Sequence, residues 1–241
     1  MLQLPLGVRL RDASRFENFS LGSNAAAVHT VRRAASEGGS AVIWLWGARG
    51  SGRTHLLQAA CASADASGRS SAYLPLAELA AAGPQVLAGF ETLGVVAIDQ
   101  VDRVAGNAEW ERALFNHYNV AGEAQAAMIL AASAPPAGVD WQLNDLASRF
   151  AAATVFHLRP LDEHELPAAL QRRAALRGLE LPAESAEFLL KRYPRDMHTL
   201  CAVIEALDEA SLVAQRRLTV PFLKEVLEQQ RWTIGAGDGL R

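Results

Sequence analysis

Apolar residues in this chain fall into short unbroken runs, separated by stretches in which they recur at helical spacing. "SAVIWLWG" (40–47) is continuously apolar and ends in glycine, which predicts a buried strand. "SAYLPL", "VVAID", "AAMILAAS" and "AATVFHL" predict four more. Helices are expected between them: over "NAAAVHTVRRAAS" with Asn24 as its cap, over "GRTHLLQAACASAD", and over "NAEWERALFNHYNVAGE", where Trp110, Leu114, Phe115 and Tyr118 share a face. Strands alternating with helices predict an α/β domain, its five-stranded parallel sheet covered on both faces.

After Pro160 the pattern changes. Four helical segments follow without a strand: "DEHELPAALQRRAALRG", "PAESAEFLLKRY", "RDMHTLCAVIEALDEASLVAQRR" and "TVPFLKEVLEQQ". Asp162 and Thr219 read as helix starts and Gly178 as a stop. The expected organisation is an arm at 1–15, an α/β domain at 16–160, a small all-α domain at 161–230 and a disordered tail at 231–241.

Composition narrows the classes. Half of the 241 residues are hydrophobic, a fifth are charged, and the net charge of −3 gives no global attraction for nucleic acid. Cys61 and Cys201 lack metal-site spacing and read as core residues in a reducing compartment. There is no apolar run of membrane-spanning length and no signal-peptide layout, so a cytoplasmic protein without membrane association is expected. Lysine occurs only at Lys191 and Lys224, so an arginine found in a lysine position can reflect that general preference.

Such an arginine occurs in the most informative motif. Gly47-Ala48-Arg49-Gly50-Ser51-Gly52-Arg53-Thr54 has the spacing of a phosphate-binding loop between strand and helix, with Arg53 in the lysine slot. Gly47, Gly50 and Gly52 let backbone N–H groups turn around phosphate oxygens, and Ser51 lies among them. The helix N-terminus adds positive partial charge. Thr54 offers a hydroxyl to Mg²⁺ or phosphate, and His55 stands beside it. Arg53 keeps the charge of lysine but is planar and longer. The alternative is a glycine-rich turn without a ligand. Asp99, at the end of an apolar strand, is placed to hold Mg²⁺ with Thr54, or else to cap the strand. Gln100 follows where hydrolysing enzymes carry a second carboxylate, and an amide cannot take a proton from water. Asp102 is expected on the loop beyond the strand.

Together these segments resemble the AAA+ module of the DnaA family, and within it the Hda-type regulators that inactivate DnaA. The resemblance runs from about Phe16 to Leu227. "RFENFSLGSNAAAV" looks like the box around adenine, "GARGSGRTHLLQAAC" like the phosphate loop with its Hda-like arginine, and "GVVAIDQVD" like the second acidic box. "NDLASRF" looks like the box of the arginine finger, which implies that role for Arg149. The residues alone would make Arg149 a solvated loop charge or a partner of Asp145. "LRPLDEHELPAALQRRAALRGLELPAESAEFLLKR" and "RRLTVPFLKEVLE" resemble a lid, and "RDMHTLCAVIEALDEASL" its sensor helix, which implies nucleotide contact for Arg195. Otherwise Arg195 is a helix-start charge paired with Asp196. Arg172, Arg173 and Arg177 read as a solvated face.

The resemblance implies an ADP-binding regulator that stimulates hydrolysis of ATP on DnaA, its partner. "MLQLPL" looks like the family's sliding-clamp peptide, with Leu2, Leu4, Pro5 and Leu6 as anchors and Met1 in place of glutamine. The second partner is then the β clamp of the replicative polymerase, and DNA contact is indirect. The chain stops after the lid, where DnaA continues into a DNA-reading domain. In "ILAASAPP" the charged part of the family's first sensor is missing after Ser133. A homodimer, a self-sufficient ATPase of helicase-loader type, and a clamp-tethering module with a dead nucleotide site remain open.

Overall fold

The computed structural model describes residues 14–214 and 216–229; the arm residues Leu2, Leu4, Pro5 and Leu6 and the tail after 230 lie outside them. The chain divides into two compact units between Arg159 and Pro160.

The first unit is built on five parallel strands: β1 (Ala41–Trp46), β2 (Ser71–Pro75), β3 (Val95–Asp99), β4 (Ala127–Ala132) and β5 (Thr154–His157). Their order is β2-β3-β4-β1-β5. Every residue of β3 and β4 is buried, which is why these strands read as apolar runs rather than alternations. Side chains still alternate between the two faces. Ile43 and Leu45 of β1 join Val95, Ala97 and Ile129 against α1 (Ala25–Glu37) and α2 (Arg53–Ala66). Trp44, Ile98, Met128 and Leu130 face the other way and pack with residues of α3 (Leu76–Leu79), α4 (Ala108–Glu123) and α5 (Asn144–Ala151).

Local chemistry sets the ends. Asn107 caps α4, its side-chain oxygen accepting from Glu109 N at 3.1 Å and Trp110 N at 3.2 Å. Asn24, expected to cap α1, makes no such bond. Its amide instead brackets Arg159, donating to the carbonyl at 2.8 Å and accepting from the N–H at 2.9 Å. Where the chain leaves the sheet outweighs a cap here, because two backbone groups would otherwise be unpaired.

The second unit consists of α6 (Leu166–Leu176), α7 (Ala183–Arg192), α8 (Met197–Ala214) and α9 (Val220–Gln229) around Leu170, Leu189, Ile204, Leu207, Phe222 and Leu223. Asp162 accepts from Glu165 N at 2.9 Å while Glu165 accepts from Asp162 N at 3.1 Å, a reciprocal cap just ahead of α6. Gly178 takes a left-handed conformation (φ 75°) after α6, as a helix stop should. The expected solvated arginine face is only partly so. Arg172 is exposed, but Arg177 bonds Glu205 at 2.9 Å and Asp208 at 3.1 Å, tying the end of α6 to α8. Spacing on one helix does not reveal acids on another. Among the described residues no helix is long and apolar enough to cross a membrane.

Candidate functional site

All five strands run the same way, so their C-terminal ends gather at one edge of the sheet, where α/β folds bind ligands. The loop from Gly47 to Gly52 leaves β1 at that edge. A Cβ on Gly47 would collide with the carbonyl oxygen of Leu158, whose own N–H donates to Trp46 O at 2.7 Å. A Cβ on Gly52, at φ 94°, would meet the Phe19 ring at 2.5 Å. Gly50 is also left-handed, at φ 83°. These glycines close a tight turn that delivers the chain into α2.

Two groups in this turn suit an anion. No side chain caps the first turn of α2, which leaves its opening N–H groups for a ligand. The Ser51 hydroxyl is buried and has no hydrogen-bond partner among the described residues. A buried orphan costs about 1–3 kcal/mol, which a phosphate oxygen would relieve. His55 is less directed at the ligand than its sequence position suggested: its Nε2 is 2.9 Å from Arg15 O and its ring packs on Phe19 at 5.4 Å.

The acidic half of the site is close by. Thr54 Oγ1 donates to Asp99 Oδ2 at 2.6 Å, and Tyr73 OH donates to the same oxygen at 2.9 Å. Asp99 is 1% exposed. Burial, then the Asp99 charge, pushes the Tyr73 phenol well above the usual tyrosine range, so it remains a donor. The hydroxyl and carboxylate are hard oxygen ligands that fit Mg²⁺ brought with phosphates. Among the described residues no cluster of three or more His, Cys, Asp and Glu could hold a metal alone. Tyr73 went unnoticed in the sequence; the signal was a phenol one strand over from a strand-end aspartate.

The neighbouring polar residues have conformations and partners of their own. Gln100 sits in a left-handed conformation (φ 56°). Asp102 lies in a short 3₁₀ turn and accepts the backbone N–H of Ser133 at 3.1 Å and also its hydroxyl. Arg53 donates from Nη1 to the carbonyl of Ala132, the last residue of β4. The arginine in the lysine slot thus spans from the phosphate loop to the adjacent strand end.

The two other arginines lie elsewhere. Arg149 is exposed in the last turn of α5, on a helix rather than in a loop, with its guanidinium 5.5 Å from the Tyr118 ring centre. Arg195, exposed before α8, pairs with Glu163 rather than with Asp196. Asp196 is already committed, accepting from Thr199 N at 2.9 Å as the cap of α8.

Known proteins share this architecture. Residues 162–227 match the family model "Hda, lid domain". Domain III of the Thermotoga maritima replication initiation protein DnaA superposes with a TM-score of 0.72 at 20% identity, covering 90% of this chain and 97% of that one. AMPPCP-bound DnaA from Aquifex aeolicus gives 0.71 at 23% identity, covering 92% and 71%. The Thermotoga maritima RuvB Holliday junction branch migration motor gives 0.56 at 17% identity, covering 85% and 67%. These likenesses span most of the chain and show a shared fold. Residues 162–227 are thus similar to the Hda lid, and the chain as a whole has the fold of DnaA domain III.

Proposed function

We propose that the protein holds ADP and lends Arg149 to the ATP site of DnaA, so that DnaA-bound ATP is hydrolysed and initiation is restrained. The observation that carries this reading is the exposed Arg149 guanidinium, whose described contact is a ring face rather than an acid. Such a side chain can reach a neighbour's γ-phosphate and offset charge developing there, an effect of about 10³–10⁵ in rate in other phosphoryl-transfer systems. Gly47, Gly50, Ser51, Gly52, Arg53 and Thr54 hold the diphosphate, Thr54 and Asp99 hold its Mg²⁺, and Arg195 is the further nucleotide contact that the resemblance implies. Self-hydrolysis is weak because Gln100 cannot take a proton and Asp102 is occupied by Ser133. The β clamp loaded on DNA recruits the protein through Leu2, Leu4, Pro5 and Leu6.

The test mixes the protein with ATP-bound DnaA and DNA-loaded clamp and follows phosphate release. Acceleration by wild type and none by Arg149→Ala is expected. Equal acceleration by Arg149→Ala would remove the mechanism, and robust hydrolysis by the protein alone would make it an ATPase.

A further inference from the structure

α5 is eight residues long, too short to fix its own position. Its N-cap, Leu143, makes no side-chain cap bond. Something else must set where its last turn, and so Arg149, points.

α4 supplies two grips. Glu111 is 0% exposed, and both its oxygens are spent on backbone N–H groups. Oε1 accepts from Gly106 at 2.7 Å and Gln142 at 3.1 Å, and Oε2 accepts from Leu143 at 2.7 Å. Two of the three donors are the residues that lead into α5. At the far end of α5, the Tyr118 ring lies under the Arg149 guanidinium and meets Phe150 edge-on at 6.4 Å. Glu111 and Tyr118 are seven residues apart, two turns, and so share a face of α4. Leu114 lies between them and is buried in the same cluster as Leu146 and Phe150 of α5. Apolar contacts of that kind resist separation but allow sliding. Three bonds to a buried charge fix the entry to α5 against sliding, and the ring under the cation biases where the guanidinium rests.

We propose that Glu111 and Tyr118 are positioning residues for Arg149, holding α5 at its start and the guanidinium at its end. This rests on the reading of Arg149 as a group that acts in trans. The face of Tyr118 gives the guanidinium a resting place without neutralising it, as a carboxylate would. An exposed cation–π contact is weak, so it orients the guanidinium toward a partner's phosphate without holding it back.

The experiment titrates the full-length protein into ATP-bound DnaA with DNA-loaded clamp and separates the plateau rate from the half-maximal concentration. For Tyr118→Leu the plateau should fall about three- to tenfold. The half-maximal concentration and ADP affinity should stay within about twofold of wild type. Tyr118→Phe, which keeps the ring, should keep the plateau. Glu111→Gln, which sets an amide against three N–H groups, should lose plateau as Tyr118→Leu does; if it does not fold, Tyr118→Leu carries the test. A wild-type plateau for Tyr118→Leu overturns the proposal. So does an equal loss in Tyr118→Phe, or a raised half-maximal concentration with the plateau intact. Arg149→Ala is run alongside. If it abolishes stimulation while Tyr118→Leu is normal, only the positioning role falls. If it stimulates normally, the trans-acting reading falls and this inference with it.

Discussion

The hydroxyl of Thr54 donates to the carboxylate of Asp99 at 2.6 Å, joining the first turn of α2 to the end of β3. The two groups are far apart in sequence and adjacent at the same sheet edge because β1 and β3 are parallel and separated by one strand. A cation arriving with phosphates would take one oxygen from each, replacing the bond between them. If they serve one ion, their removal should not add. Thr54→Ala and Asp99→Asn should each weaken ADP binding in Mg²⁺ by about tenfold and leave Mg²⁺-free binding little changed. The double variant should be no worse than the more damaged single one. Calorimetry with and without Mg²⁺ checks this; additive losses would mean separate roles.

Gly52 is the tightest point of the loop. Its φ of 94° is strained for any side chain, and an added Cβ would meet Phe19 at 2.5 Å. Phe19 is itself buried against α2, so it cannot simply swing aside. Gly52→Ala should therefore cost about 1–3 kcal/mol of stability and displace the loop that binds phosphate. Denaturant unfolding and ADP titration should both register it, whereas Gly68→Ala, at a left-handed site with open space, should lose stability alone.

The sequence made β3 and β4 legible because burial on both faces leaves no polar position to confuse the period. The phosphate loop was legible because glycine spacing, strand and helix are all local. What escaped was set by partners distant in sequence. Tyr73 reaches Asp99 from a neighbouring strand, Arg177 finds acids on α8, and Asn24 serves Arg159 instead of its own helix. Glu111 is one of several acids on α4, and nothing local in the sequence marks the three N–H groups it accepts. Arg149 could be named only through resemblance, since exposure and charge alone describe most surface arginines.

Arg53 offers a comparison of charge with shape. Its bond to Ala132 O uses the reach of a guanidinium, while anion binding needs only positive charge nearby. Arg53→Lys should therefore keep ADP affinity within about threefold while losing about 1 kcal/mol of stability. Arg53→Ala should lose affinity by about tenfold or more. If lysine binds ADP as poorly as alanine, the fork itself grips the phosphate, and the bond to Ala132 is exchanged for it on binding.

His117 on α4 gives the fold a pH dependence whose sign follows from burial. It is 3% exposed, and neither ring nitrogen has a hydrogen-bond partner among the described residues. Burial lowers its pKa below the ordinary value near 6.5, and the charge of nearby Glu91 opposes that only in part. Above 6.5 both folded and unfolded chains carry a neutral ring, and the full stability is present. As pH falls through that value the unfolded chain takes up a proton that the folded one refuses, so stability is lost until the folded group also titrates. Unfolding free energy should thus decline on acidification from about pH 7.5 to 5, and His117→Phe should flatten that decline. Because the ring nitrogens have no described partners to leave behind, the substitution should cost little at about pH 7.5. Denaturant melts at both pH values decide it. An acid decline of the same slope in His117→Phe would assign the effect to other groups, and a large loss at the higher pH would show that the imidazole is bonded after all.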